Sequence, residues 1–321
     1  MIIPIVRQTL TERALVRAGD HVLVACSGGA DSMSLLHVLH HVRTEFGITL
    51  CAASIDHGVR SESADEVAGV AEFAGSLGVP FQSARLDGLK GTPSLQAQAR
   101  TARYEALHAL AGESGATRIA VGHTQDDQAE TVLGRLLRGA GVRGMAAITP
   151  RRDDGVVRPL IDCDRPAVRA YAETHGITFV DDPSNEDKRF DRIRIRREVL
   201  PTLLRIDPQA VRHLAELADQ AAEFNTLVDA QLAALPSDDC QRVPVDVFTS
   251  SPPPVRARWF QRWIAAKTGI TPGRSHIVAI GRLLQGEGEV LLGSDWSVRR
   301  EAGELLLEYR ENRRTRSNRL S

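Results

Sequence analysis

Residues 22 to 34 read VLVACSGGADSMS, and the reading of this stretch decides the fold. An apolar run of strand character meets Ser27, Gly28, Gly29, Ala30, Asp31 and Ser32, and an amphipathic helical pattern starts at once. A loop of small residues between a strand and a helix start leaves backbone N–H groups pointing outward, and the helix dipole adds partial positive charge there. Phosphate is the natural occupant. The Walker A pattern G-x-x-x-x-G-K-[ST] occurs nowhere in the chain and no lysine lies near the loop, which excludes a P-loop of that type. Asp31 reads two ways at this level: as a carboxylate facing a ligand, or as a favourable charge in the first turn of a helix.

Outward from the loop the pattern repeats. TLCAASID is followed by the helical stretch ESADEVAGVAEFAGSLG, VPFQSARL by SLQAQARTARYEALHALAG, and TRIAVGH by TQDDQAETVLGRLLRG. Strands alternating with helices of this length predict an α/β fold, a parallel sheet with helices on both faces, whose ligands sit beyond the carboxyl ends of the strands. After about residue 160 strands thin out. A long helical pattern runs from Pro208 to about Leu235, and PSDDCQRVPVDVFTSSPPP marks an irregular entry to a second unit. The expected domains are 1–215 and a smaller, mostly helical 216–321 with short strands near its end and a charged, disordered tail from Glu311.

The formal net charge of the 321 residues is −1, so attraction of the whole molecule to nucleic acid is not expected and any basic surface must be local. The only lysines are Lys90, Lys188 and Lys267, which leaves 37 of the 40 basic residues as arginine. Cys26, Cys51, Cys163 and Cys240 form no C-x-x-C pair, which argues against a structural zinc or cysteine-held iron–sulfur site and fits a reduced, cytoplasmic chain. No stretch reads as a secretion signal or a membrane span.

The S-G-G-x-D-S loop after the first strand resembles the PP-loop of the ATP pyrophosphatases, the adenine nucleotide alpha hydrolase-like enzymes that cleave ATP between the α and β phosphates. IDHGVRSESADE, QARTARYEAL (Gln98 to Leu107), GHTQDDQAETVLGRLLRG (Gly122 to Gly139) and DDPSNEDKRFDRIRIRREVLP (Asp181 to Pro201) together resemble the tRNA(Ile)-lysidine synthetase family over roughly residues 18 to 205. GEVLLGSDWSVRREAGELLLE resembles the smaller domain that follows in that family. One departure stands out: the family usually reads R-N-R-[IL]-R where this chain has Arg192-Ile193-Arg194-Ile195-Arg196.

The resemblance implies a ligase that joins L-lysine to C2 of the wobble cytidine of tRNA(Ile) with a CAU anticodon, through an adenylated cytidine, with ATP and Mg²⁺ and release of AMP and pyrophosphate. It implies that Ser27, Gly28, Gly29, Ala30, Asp31 and Ser32 cradle pyrophosphate, and that Asp56, His57, Arg100 and His123 contact the nucleotide, with Arg138 a weaker candidate. If a helix begins near His123, then His123, Asp127 and Glu130 share one face, and Leu133, Leu136 and Leu137 continue toward the core. Two carboxylates there suit Mg²⁺ or an ammonium group; the bland alternative is a solvated acidic helix start. Asp31, Asp127, Glu130 and Arg100 are thus the candidate catalytic residues, Asp31 and Asp127 the candidate metal ligands, and Asp127 or Glu130 a candidate proton acceptor. His57 reads equally as a structural histidine, and Cys26 carries no assigned chemistry. Arg192, Arg194, Arg196 and Arg197 are expected to follow tRNA phosphates, although Arg192 and Arg194 are left open to face ATP, and a solvated basic helix face is the alternative for the run. A homodimer is left open. Two other readings remain: a tRNA thiolase sharing the adenylation step, and a catalytically silent RNA-binding module.

Overall fold

The computed structural model describes residues 2–56, 63–86, 95–180 and 191–310. His57, the segment 181–190 and the tail from Glu311 lie outside the described residues. Two compact units are present, Met1–Ala222 and Glu223–Ser321, so the division falls seven residues beyond the boundary read from composition.

The first unit opens with α1 (Ile3–Glu12) and then alternates strand and helix. Its order is β1 (His21–Ala25), α2 (Ala30–Val42), β2 (Thr49–Asp56), α3 (Ser63–Ser76), β3 (Phe81–Arg85), α4 (Leu95–Ser114), β4 (Arg118–Val121), α5 (Gln125–Leu137), α6 (Val142–Met145), β5 (Val156–Val157) and α7 (Arg165–Thr174). The five strands form one sheet in the order β3-β2-β1-β4-β5, with every pair parallel. The near-continuous apolar character of VLVA and LCAAS follows from this topology, because a parallel strand is covered on both faces. Val22, Val24, Ala52 and Ala120 pack on one side with Leu35, Leu36, Leu39, Val70, Val168 and Tyr171 from α2, α3 and α7. The alternate residues Leu23, Cys51, Ala53, Ile119 and Val121 pack on the other with Tyr104, Leu107, Leu110 and Ala111 of α4.

Strand order reverses at β1. The chain moves outward through β2 and β3, then returns to place β4 on the other flank of β1, with Ala25 beside Val121 at their carboxyl ends. Loops leaving such a pair of strands diverge to opposite faces and leave a crevice between them, the switch point where α/β folds hold ligands. Both stretches singled out in the sequence, Ser27–Ser32 and His123–Glu130, leave this pair of strands.

After α7 come α8 (Asp191–Arg194), a π-helical turn (Ile195–Val199), α9 (Leu200–Ile206) and α10 (Ala210–Leu232), the last running across the unit boundary. Buried Ile195 and Leu200 pack with Ala129 and Leu133 of α5. Leu136 and Leu137 do not continue that core; they are 58% and 74% exposed. The helical stripe turns away from the core at Leu133, since α5 ends at Leu137.

The second unit pairs helices α11 (Pro253–Thr268) and α12 (Arg274–Leu283) with a four-stranded antiparallel sheet. Its strands are β6 (Arg242–Pro244), β7 (Gly288–Leu292), β8 (Trp296–Glu301) and β9 (Glu304–Tyr309), in the order β6-β9-β8-β7. Trp259, Phe260 and Trp263 of α11 fill its core with Phe248, Val298, Leu305 and Leu307. The indole N–H groups of Trp259 and Trp263 donate to the carbonyls of Pro236 and Cys240, which lets both large rings be buried without an orphaned donor.

Candidate active site

A cavity of about 540 Å³ opens at the carboxyl ends of β1, β2 and β4, large enough for a nucleotide. Ser27, Gly29, Ala30, Asp31 and Ser32 line it, together with Ala53 to Ile55, Arg100, Arg103, Tyr104, His123, Asp127, Arg165, Arg192 and Arg196.

The loop after β1 is held by its own polar groups. Ser27 N–H donates to Ser32 Oγ at 3.0 Å, and that hydroxyl donates onward to the Gly29 carbonyl at 3.0 Å. Ser32 therefore shapes the loop from beneath, buried, and Gly29 and the first turn of α2 line the cavity. The first amides of a helix have no intrahelical acceptor, so this turn is a ready anion site. Gly28 sits at φ +79°, in the left-handed region that an L side chain resists, and its carbonyl accepts from Val180 N at 3.0 Å. Gly122, at the end of β4, is a contributor that sequence reasoning missed. A Cβ there would lie 3.1 Å from Asp31 C and Ser32 N, so glycine is what allows β4 to meet the start of α2.

Asp31 reaches the cavity from that turn. Its carboxylate lies 3.7 Å from Arg165 Nε, and burial pushes its pKa from 3.8 up to about 6, against the pull of Arg165. Cys26, immediately before the loop, is buried and its thiol is pushed up to about 12, which leaves it unreactive.

The second half of the site stands on α5. The helix begins at Gln125 after Thr124, so His123 precedes it and does not share a helical face with Asp127 and Glu130. Asp127 instead folds back on the helix start: its Oδ2 accepts from Thr124 N at 2.8 Å and Thr124 Oγ1 at 3.1 Å, a capping arrangement. Its Oδ1 accepts from Arg165 at 2.9 Å and Arg192 at 2.7 Å. Glu130 is buried to 0% side-chain exposure and saturated too. Oε1 accepts from Arg165 at 3.1 Å and Arg196 at 2.6 Å, and Oε2 from Arg192 at 2.8 Å and Arg196 at 3.0 Å.

Burial alone would raise both carboxyls. The arginines outweigh it and hold both below their ordinary values. Three guanidinium groups thus enclose two carboxylates, a network in which every member is hydrogen-bonded.

This geometry bears on three sequence expectations. Asp127 is not placed as a metal ligand, because both its oxygens are already occupied by N–H and O–H donors. Asp127 and Glu130 are each stabilised as the anion, which weakens both as proton acceptors. Arg192 and Arg196, expected to follow tRNA phosphates, both grip Glu130, and Arg192 keeps 47% of its side chain exposed. The physical reason lies in the docking of buried Ile195 on α5, which brings Arg192 of α8 and Arg196 of the π-helical turn to the carboxylates of that helix. Exposed Arg194 and Arg197 do not line the cavity. Ile193, where the family usually has asparagine, is half-buried.

Arg165 is the central residue that sequence reasoning passed over, as one more basic position in a helix. It opens α7 behind Asp164, whose carboxylate caps the helix by accepting from Ala167 N at 2.6 Å, with Pro166 in the first turn. Its backbone N–H donates to Asp126 at 2.7 Å, and its guanidinium spans Asp31, Asp127 and Glu130. Nothing in the local pattern D-R-P distinguishes this arginine from an exposed one.

Arg100 and Arg103 border the cavity from α4, at 5.2 and 5.8 Å from the Tyr104 ring centre, and Arg152 lies 4.8 Å from the same ring. Asp56 ends β2 beside the cavity without lining it, 3.9 Å from Arg85. Arg138 follows the end of α5 and is not in the cavity wall.

A family model for the PP-loop domain matches residues 5–203, the span that carries the whole cavity. Curated tRNA(Ile)-lysidine synthases match as well. That of Salinispora arenicola is 37% identical over 316 residues, covering 94% of this chain and 93% of its own length, through both units. The chain belongs to the tRNA(Ile)-lysidine synthase family. The synthase of Ruegeria pomeroyi is 45% identical over 211 residues, 64% of this chain and 49% of the relative, and that of Symbiobacterium thermophilum covers likewise half of the relative. The chain therefore spans about half the length of some synthases and about nine tenths of others. Among solved structures, the U34-tRNA thiolase NcsA from Methanococcus maripaludis with its [4Fe-4S] cluster superposes with a TM-score of 0.58 at 18% identity, over 69% of this chain and 78% of that one. At that identity the likeness concerns the fold, a parallel PP-loop sheet.

Proposed function

We propose that this chain ligates L-lysine to C2 of the wobble cytidine of tRNA(Ile) bearing a CAU anticodon, with ATP as co-substrate. The observation that carries the reading is the convergence on one cavity of the Ser27–Ser32 loop and the Asp31–Arg165–Asp127–Glu130 network, in a chain of this family.

A cytidine carbonyl oxygen is a poor leaving group. In the first step it attacks the α phosphorus of ATP, a P–O bond to pyrophosphate breaks, and pyrophosphate departs into the anion site of the α2 turn. In the second step a lysine amine attacks C2, the C2–O bond breaks, AMP leaves, and the proton given up by the amine nitrogen passes to the departing phosphate or to water. Positioning and oriented positive charge supply most of the rate: Arg100 and Arg103 border the phosphate region, and Arg165 orders the carboxylates around it. Asp127 and Glu130 act by holding the three arginines in place, not by moving protons.

Mg²⁺ favours one or two carboxylates plus substrate phosphates. Asp31 fits that demand, because it reaches the cavity with only a long ion pair to Arg165. The ion would neutralise phosphate charge there. The smaller unit is the proposed tRNA-binding domain, and the cytoplasm the proposed compartment; among the described residues no helix is long and apolar enough to cross a membrane.

Incubation with ATP, labelled lysine and tRNA transcripts differing at the wobble base tests the reading. One AMP and one pyrophosphate per lysine transferred, only to the CAU transcript, is the expected result. Sulfur transfer without lysine would put a thiolase in its place, and ATP left intact with every transcript would make the chain a silent binding module. Light scattering on the same sample separates monomer from homodimer.

A further inference from the structure

His123 leaves the end of β4 with Nδ1 3.0 Å from Nε of Arg158. A guanidinium nitrogen only donates, and it keeps its proton throughout the range in which proteins fold. Nδ1 must therefore accept. An imidazole accepting at Nδ1 is neutral, and its one N–H is on Nε2, the far side of the ring. Arg158 has no latitude to act otherwise. It is 3% exposed, follows β5 directly, donates its backbone N–H to Pro150 at 2.9 Å, and gives another arm of its guanidinium to the Thr149 carbonyl.

The charged groups acting on His123 come from four elements: Asp127 of α5, Arg158 after β5, Arg192 of α8 and Arg100 of α4. Burial disfavours the imidazolium first, and the three cations oppose it further against the single carboxylate, which takes the ring down to about 3. His123 lines the cavity beside Asp127.

We infer that Arg158 is a positioning residue that locks His123 in the Nε2–H tautomer, so that the imidazole offers a fixed neutral hydrogen bond to an oxygen of the bound nucleotide and takes no proton in the reaction. The inference rests on the reading of the cavity as an ATP site. A neutral donor set in advance stabilises charge developing on a phosphoryl oxygen without the reorganisation that water would need. It also removes the histidine from the bases available to the lysine amine, a role its place in the site would otherwise suggest.

Nitrogen-15 spectra of the full chain labelled at histidine decide the matter, with His123 assigned among the ten histidines from the His123→Gln difference spectrum. The expected result is an unprotonated Nδ1 and a protonated Nε2 from pH 8 down to pH 5, with no titration. Arg158→Met should mix the tautomers and lower AMP formation about 10²-fold, and Arg158→Lys should restore part of the tautomer preference. A wild-type His123 that titrates near 6.5, or a folded Arg158→Met with the same tautomer, overturns the inference. If Arg158→Met does not fold, activity carries the test. Gln at 123 places an amide donor near the Nε2 position and should keep activity within about tenfold with a flat pH profile, whereas Asn reaches only the Nδ1 position and should lose about 10²-fold. Equal loss in both variants overturns it. The spectra of the ATP-free protein answer the question whatever the activity assay returns, so failure here is distinct from failure of the proposed reaction.

Discussion

The loop after β1 and Asp127 of the carboxylate cluster after β4 line the same cavity, but loop and cluster are assembled over different distances in the chain. In the loop, Ser27, Gly29 and Ser32 hold one another within six residues. In the cluster, Asp127 and Glu130 are met by Arg165 from 35 to 38 residues away and by Arg192 and Arg196 from 62 to 69. The loop can keep its shape with little outside help. The cluster exists only once α5, α7, α8 and the π-helical turn have packed, and its two carboxylates are buried on the condition that their partners are present. Removing a member of the loop should cost function; removing a member of the cluster should cost the fold as well.

Glu130→Ala should show the largest effect. It takes away the one fully enclosed carboxylate and leaves Arg165, Arg192 and Arg196 facing each other around Asp127 alone. Breaking a buried ion pair from one side costs about 3–5 kcal/mol. Urea unfolding at pH 7 measures it, and a loss below about 1 kcal/mol would mean that the network is a surface feature and the contrast with the loop is false. The depressed carboxyls also give a sign to acid sensitivity. Their contribution is present above the ordinary carboxylate range and is lost as pH falls through the folded values, so the wild-type advantage over Glu130→Ala should shrink in acid.

Asp31→Asn should do the reverse, abolishing function without loss of fold. ATP cleavage should fall by about 10²–10³-fold, the scale of losing one well-placed charge-stabilising group. Stability should not fall. A carboxyl raised from 3.8 to about 6 contributes most below pH 4 and loses that contribution as pH rises through 6. Asn is neutral throughout, so above pH 6 the variant should be at least as stable, by on the order of 1–2 kcal/mol. Thermal melts at pH 4 and pH 7 compare the two, and a folded variant releasing pyrophosphate at the wild-type rate would remove Asp31 from the site.

Gly122→Ala tests where the two regions meet. A methyl 3.1 Å from the backbone of Asp31 and Ser32 must push β4 and α2 apart, at about 1–3 kcal/mol for an overpacked site. The KM for ATP should rise with it, because the same shift moves the α2 turn. An unchanged KM beside a lowered melting temperature would show that the loop is insulated from β4.

The smallest effect is expected outside the cluster. Replacing exposed Arg194 and Arg197 with glutamine should leave stability and ATP binding nearly unchanged and flatten the salt dependence of tRNA binding by about 0.7–0.9 for each phosphate that is no longer neutralised. An unaltered slope would make this basic run a solvated helix face.

Much of the first unit was legible from apolar periodicity. The alternation of strand and helix and the parallel sheet follow from runs such as VLVA and LCAAS, because burial on both faces leaves a continuous apolar signature, and the cavity lies where the strands of such a sheet end. The two-residue strand Val156–Val157 was not, since so short a run carries no period. The loop was legible for the same reason that it is stable: its residues interact with near neighbours, so small residues and hydroxyls at short spacing already imply its geometry. Thr124 and Asp127 belong to this class too, as a capping pair three residues apart.

Arg165, Arg192 and Arg196 do not. Among 37 arginines, nothing local separates one that grips a buried carboxylate from one that faces water, and the same planar fork serves either purpose. His123 shows the limit at the level of one proton: a histidine at a strand end is visible in the sequence, yet its tautomer depends on Arg158, 35 residues on and brought alongside by the pairing of β4 with β5. The sequence by itself determined the sheet, the helices that cover it and the turn of small residues between β1 and α2, because backbone hydrogen bonding and apolar burial act at short range and with a period. Only the tertiary structure decided which charges are neutralised, which carboxylate faces the cavity and which nitrogen carries the hydrogen, because electrostatic partners are chosen in space and leave no period in the chain.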